Sequence, residues 1–415
     1  MVSLKILFVH QNFPGQFRQL APALLAAGHE VHAVSIADYG VPGVKLHRYS
    51  VNAADAAAVA HPWLRDTQAK VLRAQAAMQA MAALQQQGFM PDLVIANPGW
   101  GETLCVKDVW PATKLLCLME FFYSAHGLDM GFDPEFATSS LDDNGRLRMK
   151  NVMLLEAMLT MDAGVAPTQW QFDSLPVIMS PKVSVIFDGI GTDLIKPDCG
   201  ASIRLGSGLT LRAGDPVVTY VSRNLEPYRG FHVFMRALPE LLRRCPAAHV
   251  VIVGGDSVSY GALPAGGGGW KRKMLEELQG QLDFKRIHFV GKVAYSLYLQ
   301  LLQVSAVHCY LTYPFVLSWS CIEALSAGCH VVGSRTGPVQ EFIESGRNGT
   351  LVDFFDVAAI ADALTMGLAK RSEPQALRQR ARETAIDRCD FRRVALPGYQ
   401  DLIERLYDVK TLLNY

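Results

Sequence analysis

Arg223 and Arg229 bracket the segment Arg223-Asn224-Leu225-Glu226-Pro227-Tyr228-Arg229-Gly230, which follows the apolar run Val217 to Ser222. Guanidinium forks are always charged and grip two oxygens at once, so a pair of them beside a strand end suits a diphosphate. A pair of ordinary surface arginines is the alternative. The turn, and Gly230 at the start of the next helix, favour the anion site. A second chemistry-bearing stretch runs from Tyr313 to Glu341. The apolar run Ala306 to Thr312 leads through Pro314 into a helix starting near Ser318 to Ser320 and carrying Glu323. The strand His330 to Gly333, a Gly337-Pro338 turn and a helix beginning near Glu341 follow. Ligands of parallel sheets sit beyond the carboxyl ends of the strands, and helix N-termini favour anions. The stretch reads as one half of a nucleotide-sugar site.

Further polar turns follow other apolar runs. Gly15 opens the helix after Lys5 to His10, and a glycine there lets a phosphate or sugar approach the backbone. Alone it is no more than a turn glycine, and no Gly-x-Gly-x-x-Gly accompanies it. Asn97, Trp100 and Glu102 follow Asp92 to Ala96, and Glu120 follows Lys114 to Met119. Glu120, His126 and Asp133 of the 131–135 loop either face a cleft or anchor that loop. Gly254-Gly255-Asp256 follows another strand. Val290 to Val293, with Gly291, either touch a base or simply pack.

Elements must hold these groups in place. Apolar runs at Lys5–His10, Glu30–Ile36, Asp92–Ala96, Lys114–Met119, Ala163–Pro167 and Val183–Phe187 alternate with helical stretches. The alternation restarts at Val217–Ser222, His249–Val253, Ile287–Val290, Ala306–Thr312 and His330–Gly333. Strands alternating with helices imply parallel sheets with right-handed crossovers. The chain is therefore expected to hold two Rossmann-like, doubly wound parallel-sheet α/β domains facing across a cleft. They are placed at 1–195 and 196–390, with 391–415 a final helix packing back on the first. Residues 196–213 read as loop, and Gly261 to Trp270 as a flexible glycine-rich segment. His61 to Gln87 reads as a long helix with Leu64, Val71, Ala74, Met78 and Met81 inward, and Arg65, Lys70 and Arg73 on a solvated face.

Composition bounds the function. The 415 residues carry 39 basic and 39 acidic side chains and are half hydrophobic. This is a globular composition of at least two domains, with no basic excess for nucleic acid. No run approaches a membrane span of about 18 apolar residues. Met1 to Val9 runs into a strand rather than a leader sequence. The eight cysteines form no Cys-x-x-Cys pair and read as reduced core thiols of a cytoplasmic protein.

Several motifs together resemble the family-4 glycosyltransferases of the GT-B type. They are the Gly15 loop with Gly28-His29-Glu30-Val31, Asp188-Gly189-Ile190, Arg223 with Arg229-Gly230, Glu323-Ala324 with Ala327-Gly328, Gly337 with Glu341, and Gly346 with Asn348-Gly349. The resemblance spans nearly the whole chain. It implies that Gly15, Arg223, Arg229 and Ser318 surround the donor diphosphate, that Glu323 holds the ribose, and that Glu341 belongs to the donor site. Val290, Gly291 and Val293 would meet the base, Asn97 and Trp100 the acceptor. Glu120 and His126 are the candidate catalytic groups. It further implies transfer of a sugar from a nucleotide-diphosphate donor, a UDP- or GDP-sugar, with retention at the anomeric carbon. No cofactor or metal is required, and the acceptor is a glycan or lipid-linked molecule, as in polysaccharide biosynthesis. Peripheral contact at the inner membrane face is compatible with this. Three positions depart from the family pattern. Phe315 stands where a first glutamate is usual, Arg229 replaces a lysine one residue later than expected, and Glu120 takes the place of a histidine. A nucleotide-sugar-binding protein without transfer activity, or a sugar-nucleotide epimerase, would share the same fold.

Overall fold

The computed structural model describes residues 3–52, 61–137, 140–372 and 376–408. The chain divides into two units, one of residues 1–189 with 391–415 and one of residues 190–390. Its first boundary falls ahead of the 195/196 position read from the sequence.

The first unit is built on seven strands: β1 Lys5–Val9, β2 Glu30–Ser35, β3 Lys45–Arg48, β4 Leu93–Ala96, β5 Lys114–Leu118, β6 Ala163–Ala166 and β7 Val183–Val185. They form one parallel sheet in the order β3-β2-β1-β4-β5-β6-β7. A parallel sheet covered on both faces buries its strands completely, which is why they read as unbroken apolar runs. One face packs Leu7, Val9, Val94 and Cys117 against Met81, Leu84 and Trp110. The other packs Ile6, Phe8 and Ile95 against Phe17, Leu24 and the C-terminal residues Phe391, Tyr399, Leu402 and Ile403. The final helix, Leu396–Tyr407, is part of this core.

The second unit adds a two-stranded antiparallel hairpin, β8 Ser202–Arg204 and β9 Thr210–Arg212, within the segment expected to be loop. Six parallel strands then follow: β10 Val217–Asn224, β11 His249–Gly255, β12 Ile287–Gly291, β13 Val307–Tyr310, β14 His330–Ser334 and β15 Thr350–Val352. Their order is β12-β11-β10-β13-β14-β15. In both sheets the winding reverses beside the first strand, between β1 and β4 and between β10 and β13. Such a reversal opens a crevice at the strands' carboxyl ends.

The helix expected over His61–Gln87 begins as a short 3-10 turn and runs as Arg65–Gln86. Its inward face differs from the expected one. Thr67, Lys70, Ala74, Ala77, Met81 and Leu84 are buried, while Val71 is 44% exposed. Lys70 does not lie on a solvated face. It donates to the Lys150 carbonyl at 2.7 Å, and burial pushes its pKa down to about 8. The helical stretch ahead of β6 is two helices, Leu141–Lys150 and Val152–Thr160, meeting at Asn151. Among the described residues, no helix is long and apolar enough to cross a membrane.

Candidate functional site

In the second unit, β10 ends in Arg223 and Asn224. A 3-10 turn, Pro227–Arg229, leads through Gly230 into the helix Phe231–Arg244. Gly230 has φ +67°, and a Cβ there would lie 2.3 Å from Leu311 Cβ. Only glycine lets the helix start so close to the β13 end. Arg223 is exposed, and its side chain makes no hydrogen bond or ion pair with another described residue. Arg229 is different. It is 7% exposed, and its Nη1 donates to Thr312 Oγ1 at 2.8 Å, the Val316 carbonyl at 3.0 Å and Tyr310 Oη at 3.3 Å. Its guanidinium also lies over the Tyr260 ring, 5.1 Å from the centroid. Burial opposes this charge, but Tyr310, Tyr260 and Glu226 outweigh burial and raise the guanidinium pKa. The two arginines of the sequence motif thus divide, one outward and one inward.

Glu226, which the sequence reading passed over, is fully buried. Its carboxylate accepts from the backbone N–H groups of Ser259, Tyr260 and Gly261 at 3.0–3.1 Å. Trp270 Nε1 donates to the Ala262 carbonyl at 2.9 Å. The start of the glycine-rich segment expected to be flexible is therefore tied down. A lone acid beside a strand end, with a glycine-rich segment downstream offering free amides, was the available signal.

Ser318 caps the helix Trp319–Ser326. Its Oγ accepts from the Ser320 N–H, and its own N–H donates to Tyr310 Oη at 2.7 Å. Glu323, 4% exposed, sits in this helix and accepts from Tyr295 Oη at 2.8 Å and Tyr298 Oη at 2.7 Å. A carboxylate offers about four acceptor positions, so these two phenols leave it capacity for ligand hydroxyls. The phenol of Tyr298 is pushed well above its usual pKa by burial and by Glu323. Phe315 is buried in an aromatic cluster, with ring centroids 5.0 Å from Tyr260 and 5.6 Å from Tyr228.

At the end of β12, Val290 and Val293 pack against the apolar cluster of Ile203, Leu211, Val251 and Leu301. Gly291 between them is exposed with φ +68°. Glu341 turns to Arg388, which donates to its backbone carbonyl and lies 3.6 Å from its carboxylate. It lines a pocket of about 700 Å³ with Arg335, Arg347, Arg380, Asn348 and Thr384, a set that includes neither Arg223 nor Glu323.

In the first unit, Gly15 has φ +49°, and a Cβ there would lie 2.6 Å from His10 Cε1. His10 is buried. Its Nδ1 accepts from the Asn12 N–H at 3.0 Å, and Nε2 makes no hydrogen bond among the described residues. Burial pushes its pKa down to about 4, against the opposing pull of Gln16. Asn97 Oδ1 accepts from the Gly99 N–H at 2.9 Å, and Nδ2 donates to Glu120 Oε2 at 3.4 Å, so the β4 and β5 ends meet through these two side chains. Trp100 is 36% exposed and held through its carbonyl by Arg73 at 2.8 Å. His126 is exposed, and its backbone closes a turn with Ser124. No contact joins His126 to Glu120 among the described residues. Asp133 is buried and accepts from the Glu135 N–H at 3.0 Å. Glu102, also buried, accepts from Tyr49 Oη at 2.7 Å, and burial raises its pKa.

Residues 27–195 match the family described as glycosyl transferase family 4 group, and residues 208–384 match glycosyl transferases group 1. The chain is 28% identical over 221 residues to a GDP-mannose-dependent alpha-(1-6)-phosphatidylinositol monomannoside mannosyltransferase of Mycolicibacterium smegmatis, covering 49% of this chain and 52% of that protein. It is 28% identical over 213 residues to a D-inositol 3-phosphate glycosyltransferase of Corynebacterium urealyticum, covering 50% and 47%. The chain spans about half the length of the curated relatives it matches. Among solved structures, sucrose-phosphate synthase from Thermosynechococcus elongatus superposes with a TM-score of 0.71 at 20% identity, covering 97% of this chain and 98% of that one. Anabaena HepE in complex with UDP and glucose superposes with a TM-score of 0.66 at 18% identity, covering 97% and 99%. These likenesses establish the fold: two Rossmann-like parallel-sheet domains of the GT-B type.

Proposed function

We propose that this chain, which belongs to the family-4 glycosyltransferases of the GT-B type, moves a sugar from a nucleotide-diphosphate donor to a saccharide or lipid-linked acceptor, with retention at the anomeric carbon. The observation that carries the reading is the placement of three features at or just beyond the carboxyl ends of the paired strands β10 and β13. They are the outward Arg223, the Ser318 helix start and the buried Glu323 carboxylate. Curated relatives whose names specify mannosyl and glycosyl transfer support it, as does the solved HepE complex with UDP and glucose.

In this reading Arg223 neutralises the charge that grows on the leaving diphosphate, an electrostatic effect that is strongest when the cation is already in place. The helix start at Ser318 adds backbone N–H donors and a favourable dipole. Glu323, oriented by Tyr295 and Tyr298, accepts from the ribose hydroxyls. Arg229 acts from beneath, holding the Tyr310 and Thr312 end of β13 against the donor turn. Asn97 and Glu120 form the polar end of the acceptor side. Arginine and helix-dipole charge stabilisation asks for no metal, and none is assigned a role. The setting that fits is glycan or polysaccharide assembly.

Phe315 motivates one other reading, nucleotide-sugar binding without transfer, because a buried aromatic cluster occupies a position where the family usually carries a carboxylate. Incubation with radiolabelled UDP-, GDP- and ADP-sugars separates the two. Label passing to a saccharide or lipid acceptor supports transfer. Tight binding with neither transfer nor hydrolysis across the panel contradicts it.

A further inference from the structure

We propose that the outward face of the helix Val152–Thr160, with the neighbouring turn Val177–Lys182, is a docking surface for an anionic phospholipid membrane. The inference goes beyond sugar transfer and does not rest on it. The helix is apolar nearly all round. Leu154, Ala157 and Met158 pack into the core of the first unit. Val152, Leu155 and Leu159, at steps of three and four, form the other side and are 36%, 44% and 73% exposed. A surface helix normally turns charged or polar residues to water, so this side is left without its usual solvent. In the 3-10 turn Val177–Lys182, Val177 and Ile178 are 86% and 84% exposed. Side chains three apart eclipse in such a turn, so Ile178 and Pro181 share a face. Pro181 and Leu159 line one pocket of about 540 Å³, together with Leu402 and Leu406 of the final helix. The helix face and the turn therefore join across that pocket. Single exposed aliphatics are ordinary, but a joined set marks contact with an apolar phase.

Charge decides what covers the patch. Lys114, Lys182 and Arg405 line the same pocket. Lys114 shares Asp162 with Lys107, at 3.6 and 2.7 Å, and Arg405 pairs with Asp401 at 3.2 Å. Lys182 donates to the Met161 carbonyl at 3.0 Å and has no ion-pair partner among the described residues. Four cations thus stand around two carboxylates at this end of the patch. Glu156, the one acid of the helix, is half-buried within electrostatic reach of Cys105. A second copy seated about a two-fold axis would set the excess of cations against itself. An anionic lipid surface answers it: lysine and arginine stems reach the headgroups while the aliphatics enter the acyl boundary. At the head of the helix, Asn151 exchanges hydrogen bonds with Tyr123 beyond β5, at 3.1 and 2.8 Å. The patch therefore starts at the carboxyl end of the first sheet.

The test is flotation of the full chain, without nucleotide, on vesicles of phosphatidylcholine alone and of equal parts phosphatidylcholine and phosphatidylglycerol. The chain should float with the anionic vesicles, less with the neutral ones, and less again at high salt, which screens the lysines and arginines. Leu159→Ser combined with Ile178→Ser removes exposed side chains only. Its melting temperature should hold while partitioning falls roughly 10-fold or more, the loss expected when even one buried aliphatic side chain is withdrawn. A folded wild-type chain that stays off the anionic vesicles overturns the proposal. So does flotation that the folded double variant keeps, because the contact then lies elsewhere. Sedimentation equilibrium addresses the rival occupant: a wild-type dimer that the double variant dissolves assigns the face to a second copy and overturns the membrane reading. Nucleotide and sugar are absent throughout, so failure of the docking leaves sugar transfer standing, and failure of transfer leaves the docking standing.

Discussion

Arg223 is exposed and bonded to no other described residue, so its removal should cost chemistry and not folding. Arg223→Ala is expected to lower kcat/KM for sugar transfer by about 10²-fold or more, with an unchanged melting temperature. Steady-state kinetics beside a thermal melt check this. Glu323 is the opposite case. Glu323→Gln leaves one of its two phenol partners, the buried Tyr298 or the more exposed Tyr295, poorly matched, at a cost of about 1–3 kcal/mol in urea unfolding if it is Tyr298. If its carboxylate holds the ribose, the wild-type chain should favour ribonucleotides over 2′-deoxyribonucleotides, and the variant should lose that preference. His10, His308 and His330 make a third prediction. Burial lowers their pKa values to about 4, 3 and 4. Between pH 6.5 and about 4 the unfolded chain binds protons that the native chain does not, so stability falls as pH falls through that window. His10→Asn should reduce the slope of unfolding free energy against pH by about one proton, read from urea titrations at pH 7 and pH 5. At this scale the sequence made the places of Arg223 at a strand end and Glu323 in a helix legible, because strand ends and helix starts announce themselves in residue pattern. It hid the burial of Arg229, Lys70 and Glu226, because a charged side chain reads as solvated until its partners, which are distant in sequence, are known.

At the scale of elements, the long apolar runs were readable because a doubly covered parallel strand must be apolar on both faces. β3, β8, β9 and β15 were not read. β3 and β15 are short sheet-edge strands, and β8 and β9 form a short hairpin, with partly exposed positions in each. Their pattern is carried by neighbours rather than by their own composition. The split of 141–160 at Asn151 also escaped periodicity, because both halves are helical. Glu226 supplies the prediction that belongs here. It stitches the 259–261 segment to the β10 turn through three amides. Glu226→Ala should make the Ser259, Tyr260 and Gly261 amides exchange at least tenfold faster in native-state hydrogen exchange, the equivalent of about 1.4 kcal/mol of lost protection. Unchanged exchange there would show that the glycine-rich segment holds itself.

At the scale of the whole chain, two sheets of the same winding, each reversing beside its first strand, explain why a chain of this length carries polar turns at so many strand ends. Family matches over 27–195 and 208–384 follow the same division. The departures at Phe315, Arg229 and Glu120 fall in segments just beyond β13, β10 and β5, not in the strands of the framework.

The central claim is transfer with retention, and one measurement meets it directly. The chain is incubated with each α-linked UDP-, GDP- and ADP-sugar and a set of saccharide and lipid acceptors, and the anomeric configuration of any product is read by NMR. The account predicts an α-linked product from one donor class, formed about 10²-fold or more slowly by Arg223→Ala. A β-linked product, or no product from a wild-type chain that binds the nucleotide, would contradict it.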